Sequence, residues 1–396
     1  MIARHIILFL LLVVLPDLYI DFCYFRRRNL KLWKRLLWWV PCVIMLVGTS
    51  FMASQFDFVP RNYIFLEIYF ALLGLLVIPK AVFAICSAAG WGHNLYHGKK
   101  QRWGERIGFV LAVGIAGLFI YGFTLGFSRI EVKHIDLSFE ELPMQFDGYK
   151  IIHISDLHVG SYVGWRRCIL ERAVDSILMQ KPDLVCFTGD LQNARPEEVL
   201  AVKDILRRLP GTISVLGNHD HGEYIGGTQE EKNSVEKRLV EIQRKELGWT
   251  PLVNNSIEIF RDCYPEKGFQ KQVPVFIIGT DNDGQPPFPS LADYQCAVKP
   301  WMKKGFSIML QHDPSAWRRN ILPKTTAQLT LSGHTHGGQM NFFGLRPTRL
   351  QYREDYGVYK QDGRILHVSG GLGGVVPFRL GIPGEVTLIT LHVKKH

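Results

Sequence analysis

Five short apolar runs in the last two thirds of the chain end on His, Asp or Asn. Residues 151–154 run into Ser155-Asp156-Leu157-His158, residues 184–188 into Gly189-Asp190, and residues 213–216 into Gly217-Asn218-His219-Asp220. Residues 307–310 run into Gln311-His312-Asp313, and residues 329–331 into Ser332-Gly333-His334-Thr335-His336. Carboxylate, imidazole and amide oxygen together suit divalent first-row cations such as Mn, Fe, Co or Zn. No cysteine stands among them, which argues against a closed structural zinc site. A single Asp-x-His or Gly-Asp after a strand is an ordinary turn or cap. Five such clusters in order, each closing an apolar strand, point instead to a centre for two divalent metal ions.

The elements that must position these residues read as α/β. Residues 129–149 form a linker that becomes a first strand from Ile130, and one domain follows over 150–396. Its strand candidates are 151–154, 184–188, 213–216, 275–278, 307–310, 329–331, 365–368 and 386–391, and its helix candidates 164–180, 196–208 and 230–247. Early strand–helix alternation argues for α/β, and the strand-rich second half suggests a second sheet. In open α/β sheets, ligands gather at the carboxyl ends of strands, where all five clusters lie.

The first 128 residues differ in kind. Apolar runs at 6–25, 36–52, 63–89 and 107–127 approach the ~20 residues needed to cross a bilayer, so a four-helix transmembrane module over 1–128 is expected. Asp17, Glu67 and Lys80 interrupt the runs and are expected near ends or facing other helices. Trp33, Trp38, Trp39, Trp91 and Trp103 flank them as interface anchors. Arg26-Arg27-Arg28 after the first run speaks for a retained anchor rather than a cleaved signal.

Charge resolves the topology. The chain carries 46 Lys and Arg against 36 Asp and Glu, a net +10. Residues 1–128 hold +8 of it, which leaves +2 for the rest. That near-neutral remainder, with no basic stripe, excludes nucleic acid as a partner. Residues 26–35 contain six basic side chains and no acid, and 90–106 contain Lys99, Lys100, Arg102 and Arg106 against Glu105. The positive-inside rule places both segments in the cytoplasm, and therefore the domain after residue 127 on the other face of a bacterial plasma membrane. His93 and His97, within the second of these segments, are expected to be a solvated pair.

Taken together, Asp156-x-His158, Gly189-Asp190, Gly217-Asn218-His219-Asp220, His312 and Gly333-His334-x-His336 resemble the full signature of the calcineurin-like metallophosphoesterases. Ser155-Asp-Leu-His-Val-Gly, Ser332-Gly-His-Thr-His-Gly-Gly-Gln and the tail Pro377-Phe-Arg-Leu-Gly-Ile-Pro-Gly-Glu resemble the YkuE-like, membrane-tethered branch. The resemblance covers about residues 130–396 and implies a four-layer αββα sandwich, one the strand pattern alone would not produce. It assigns one metal to Asp156, His158, Asp190 and His336, and a second to Asp190, Asn218, His312 and His334, with Asp190 bridging. Manganese is favoured over iron or zinc. The family pattern also implies that a hydroxide bridging the two cations attacks phosphorus while His219 acts as general acid; Asp190 and His219 are thus the catalytic pair. Many relatives carry an Asp three residues after the bridging Asp to orient that His. Here it is Asn193, so the strength of the acid is in question, with Asp220 or another group as a substitute.

The remaining candidates read more simply. His153 is expected in the core, and His221 and His367 near substrate or ligand residues. Gly337-Gly338 and Gly370 to Gly374 allow backbone close to the cluster, and Arg346 and Arg379 are phosphate-contact candidates. Cys263 and Cys296 suit a disulfide if the domain lies outside the cytoplasm, while Cys186 reads as a buried thiol. The expected function is a membrane-anchored phosphoesterase or pyrophosphatase acting on a lipid- or nucleotide-linked phosphate. A cytoplasmic nucleotide-sugar substrate conflicts with the topology. The alternatives are a phosphomonoesterase or phosphodiesterase for small soluble esters, or a non-catalytic metal-binding regulator of the membrane module; the intact ligand set disfavours the last.

Overall fold

A computed structural model describes residues 6–55, 63–98, 100–261 and 273–394. They form two compact units, Met1–Leu125 and Gly126–His396. Cys263, half of the expected disulfide, lies outside the described residues; Cys296 is an exposed free thiol and Cys186 a buried one.

The first unit contains four helices long and apolar enough to cross a membrane: Ile6–Arg26, Leu32–Ser54, Tyr63–His97 and Trp103–Gly126. Most of their large apolar side chains point outward, as a lipid-facing surface requires. Asp17 and Lys80, two of the interrupting charges, are paired inside. Lys80 Nζ lies 2.9 Å from Asp17 Oδ1, and Arg35 grips Asp21 through two bonds of 2.7 Å. The third helix widens into a π-type turn at Leu73–Val77, just before Pro79, whose missing N–H disturbs the ladder there. This helix also overruns its expected end at residue 89. His93 and His97 therefore lie on its last turns, with ring centroids 4.4 Å apart, and not in a loop. Hydropathy marks where the apolar residues stop, whereas the helix stops at Gly98, whose left-handed φ of 63° closes the cap.

The second unit is built on two six-stranded sheets. Its strands are β1 (Ile130–Phe139), β2 (Tyr149–Ile154), β3 (Leu184–Thr188), β4 (Ile213–Val215), β5 (Thr250–Pro251), β6 (Asn255–Ile259), β7 (Val275–Gly279), β8 (Ser307–Leu310), β9 (Leu329–Ser332), β10 (Gly357–Gln361), β11 (Arg364–Val368) and β12 (Gly384–Val393). One sheet has the order β1-β12-β2-β3-β4-β5 and the other β10-β11-β9-β8-β7-β6. The runs β2-β3-β4 and β7-β8-β9 are parallel, so each sheet delivers three strand ends in one direction.

Alternating side chains of each strand enter different cores, which is why these runs are apolar without a polar face. Ile151, Leu184, Cys186, Ile308, Leu310 and Leu331 meet between the sheets. Ile152, Ile154, Val185 and Phe187 pack under the helices Arg167–Met179 and Gln229–Ile242. Ile278, Met309, Leu366 and Val368 pack with Tyr294, Trp317 and Ile321 on the far side. The result is a four-layer αββα sandwich. One helix and three strands depart from expectation: 196–208 divides into Pro196–Leu200 and Lys203–Leu206, and β5, β6 and β10 lie at sheet edges, too short or too exposed for an apolar run to betray them.

Candidate metal centre

The strand ends converge. Asp156 and His158 follow β2, Asp190 follows β3, Asn218 follows β4, His312 follows β8, and His334 and His336 follow β9. Asp156, His158 and His336 form one group whose ligand atoms lie within 4.8 Å of one another; Asp190, His312 and His334 form a second. One oxygen of Asp190 faces both, since Oδ2 is 3.5 Å from His158 Nε2 and 3.2 Å from His312 Nε2. Asn218 Oδ1 joins the second group at 3.2 Å from His312 Nε2 and 2.7 Å from His334 Nδ1.

The backbone is bent to achieve this. Asp156, His158, Asp190, His334 and His336 all adopt positive φ, between 44° and 71°, a region costly for side chains with a Cβ and concentrated at functional sites. Glycines leave room for the carboxylates. A Cβ on Gly217 would stand 2.2 Å from Asp190 Oδ1, and one on Gly333 2.2 Å from Asp156 Oδ2.

The donor set fits divalent cations. His312 Nε2 and His334 Nδ1 approach to 3.3 Å while sharing one amide oxygen, and the buried Nδ1 atoms of His158 and His336 have no hydrogen-bond partner. Imidazole lone pairs and carboxylates crowded this closely are what a cation, rather than protons, would satisfy. Burial pushes His158 down to about 3 and His336 well below its usual value. Burial also raises Asp156 to about 6. His312 is the exception: although burial opposes it, the Asp190 carboxylate lifts it to about 10.

Supporting contacts fix the candidate donors, as outer partners of metal sites do. His312 Nδ1 donates to the Thr188 carbonyl at 2.7 Å, and His334 Nε2 meets the Tyr352 hydroxyl at 2.8 Å. The Thr188 hydroxyl in turn meets His153 Nε2 at 2.9 Å, and His153 Nδ1 faces His367 Nδ1 at 2.7 Å across the two sheets. His153 is therefore a core residue that also supports the site, because it holds the last residue of β3, directly before Gly189-Asp190. His367 supports His153 and touches no ligand.

His219 is oriented differently from expectation. Its Nδ1 donates to the Asn193 backbone carbonyl at 2.7 Å, its N–H donates to Asp190 Oδ1 at 2.8 Å, and its ring stacks on Tyr224 with centroids 3.9 Å apart. The Asn193 side chain points elsewhere, its Nδ2 donating to Ser161 Oγ at 3.1 Å. Asp220 is no substitute either, because its carboxylate accepts the backbone N–H groups of Asp190, Leu191, Gln192 and Gly217 at 2.8–3.3 Å. Burial lowers the His219 pKa, partly opposed by Asp190.

Three further candidates are engaged by other partners. Arg379 is wholly enclosed, its guanidinium donating to carbonyls of Gly370, Gly371, Gly373 and Pro383, so it ties the glycine-rich turn and meets no phosphate. Arg346 is held by two bonds to Asp355, at 2.7 and 2.9 Å. His221 spans two carboxylates, with Nε2 2.9 Å from Asp281 Oδ1 and Nδ1 3.3 Å from Glu236 Oε2. Each nitrogen having its own carboxylate, this trio is an ion-pair staple rather than a chelate. Sequence reasoning missed Thr188, Tyr352 and Tyr224, which carry no motif and become visible only through tertiary contact.

Two family models match the chain: a probable calcineurin-like phosphoesterase transmembrane domain over residues 3–127 and calcineurin-like phosphoesterase over 149–338. The metallophosphoesterase YkuE of Bacillus subtilis (strain 168) is 30% identical over 299 residues, covering 70% of this chain and 92% of that one. A transmembrane protein with metallophosphoesterase domain from Danio rerio is 27% identical over 71% of this chain and 62% of its own length. The phosphodiesterase YaeI of Escherichia coli (strain K12) is 27% identical over 61% of this chain and 82% of its own.

Proposed function

From the chain's membership of the calcineurin-like metallophosphoesterases we propose a membrane-anchored phosphodiesterase or pyrophosphatase that works with two divalent cations, manganese favoured, on a phosphate linked to a lipid or nucleotide. The chain is a metal-dependent phosphoester hydrolase joined to a transmembrane module. Two cations are supported by the position of Asp190 Oδ2 between His158 and His312, one oxygen facing both donor groups.

In this reading Asp156, His158, Asp190 and His336 would hold one cation, and Asp190, Asn218, His312 and His334 the other. Two cations held there would supply water activation and charge neutralisation at phosphoryl oxygens. Asn218 contributes a neutral oxygen, which leaves the occupied site positive toward phosphate. The Asn193 carbonyl fixes a proton on His219 Nδ1, so Nε2 is the nitrogen through which a leaving oxygen receives its proton. The Thr188 carbonyl accepts the hydrogen bond from His312 Nδ1–H, which leaves Nε2 as the nitrogen available to a cation. The catalytic unit lies outside the cytoplasm in this reading, a placement supported by the basic 26–35 and 90–106 segments.

The test is hydrolysis of an aryl phosphodiester by detergent-purified full-length protein supplied with Mn, Zn or Fe. Metal-dependent turnover abolished by Asp190→Asn supports the reading. No turnover in a metal-loaded sample, or turnover surviving that substitution, counts against it.

A further inference from the structure

The membrane unit has a hollow of its own that the phosphoesterase reading does not use. It encloses about 370 Å³ between the end of Ile6–Arg26, the end of Tyr63–His97 and the start of Trp103–Gly126. Two of these helices are clamped together beside it. A Cβ on Gly90 would stand 2.8 Å from Gly104 Cα, and one on Gly104 2.4 Å from the Cys86 carbonyl, so only glycine permits this approach. The hollow is amphipathic. Phe22 and Trp91 line it together with Arg27, while the hydroxyls of Tyr19 and Tyr24 converge on Ser87 Oγ at 3.0 and 2.5 Å.

Through Gln101, which lines both, it adjoins a second hollow formed by Lys100, Arg102, Trp103, Arg106 and Ile107. The carboxylates at this end are already engaged: Asp21 by Arg35 and Arg26, Asp17 by Lys80, and Glu105 by Arg102. Arg27, Lys100 and Arg106 have no carboxylate partner among the described residues. Three uncompensated cations therefore rim a pair of hollows with aromatic walls, at the helix ends joined by the basic segments.

We infer that these paired hollows bind an anionic glycerophospholipid, its phosphate among Arg27, Lys100 and Arg106 and its acyl end along Phe22, Trp91 and Ile107. An anion alone has no use for the aromatic wall, and a neutral lipid none for the three cations. Basic pockets between transmembrane helices are suited to anionic headgroups, each cation near the surface adding about fivefold in affinity. The site is separate from the phosphoesterase centre, shares no residue with it, and stands or falls independently of that reading.

The experiment titrates the full-length protein, in neutral detergent, with phosphatidylglycerol, phosphatidylcholine and inorganic phosphate, following binding by native mass spectrometry and Trp fluorescence. Saturable phosphatidylglycerol binding at least tenfold tighter than phosphatidylcholine is expected, with inorganic phosphate failing to compete at equal concentration. Replacing Arg27, Lys100 and Arg106 by Gln should weaken it on the order of a hundredfold. Lys100→Glu alone, at an exposed position that packing does not need, should weaken it at least fivefold even if the triple variant fails to fold. Equal binding of the two lipids, effective competition by phosphate, or wild-type affinity in Lys100→Glu would each overturn the proposal.

Discussion

Replacing Asn193 by Ala separates two accounts of how His219 is held. If the amide stood in for the orienting Asp of many relatives, its loss would free the imidazole, and the contribution of general acid catalysis, about 10²–10⁴ in rate, would fall with it. The geometry says otherwise. His219 Nδ1 bonds the Asn193 backbone carbonyl at 2.7 Å, and no side chain at 193 is needed for that bond. The amide makes one bond, from Nδ2 to Ser161 Oγ at 3.1 Å, while its buried Oδ1 has no partner. Losing a neutral bond costs about 0.5–1.5 kcal/mol, and removing an unsatisfied buried acceptor offsets part of that. The net change is therefore at most about 1 kcal/mol, or roughly 2–4 °C in Tm for a unit of this size. Steady-state hydrolysis of an aryl phosphodiester by Mn-loaded Asn193→Ala should give a kcat within about threefold of the native chain, whereas His219→Gln should lower it by about 10²–10⁴. A hundredfold loss in Asn193→Ala, with Tm retained, would refute the carbonyl assignment.

Asp220→Asn should be damaging without touching metal or substrate: one of its two acceptor oxygens disappears, stranding two backbone N–H groups at a cost of about 2–5 kcal/mol, seen as a Tm lower by roughly 5–15 °C; a shift under 2 °C would contradict it. His221 gives a pH dependence. Burial opposes its charge, but the Asp281 and Glu236 carboxylates raise it to about 10, above its unfolded 6.5. Its stabilisation is thus complete below pH 6.5, fades as pH rises, and is gone above about 10, with a slope of at most about 1.4 kcal/mol per unit. Thermal unfolding between pH 6 and 9.5 should show a decline that His221→Gln flattens, and equal slopes would count against the staple. In the membrane unit, Lys80→Met leaves the buried Asp17 carboxyl without its partner inside the bundle, a loss of about 3–5 kcal/mol. Lys80→Met with Asp17→Asn should recover most of it in detergent unfolding assays, and a double variant no better than the single would refute the pairing.

The convergence of the candidate donors was legible because each follows a buried strand, and such strands announce themselves as uninterrupted apolar runs such as Leu-Val-Cys-Phe-Thr at 184–188. The membrane helices were legible for the same reason at greater length. What escaped depends on contacts that carry no local pattern. The partner of His219 is a backbone carbonyl, which every residue possesses, so the Asn at 193 drew attention to the wrong atom. Arg379 reads as a surface cation, yet a turn of glycine carbonyls closes over it. His153 and His367 lie 214 residues apart and meet only when the two sheets stack. The third membrane helix ran past its apolar stretch because backbone hydrogen bonding does not stop where the hydrocarbon does.

If two donor groups sharing Asp190 hold two cations, metal stoichiometry will show it. Full-length protein stripped of metal and dialysed against Mn²⁺ should bind two ions per chain, with a spin-coupled EPR signal that Asp190→Asn abolishes. A single uncoupled ion in the native chain, or coupling that persists in Asp190→Asn, would contradict it.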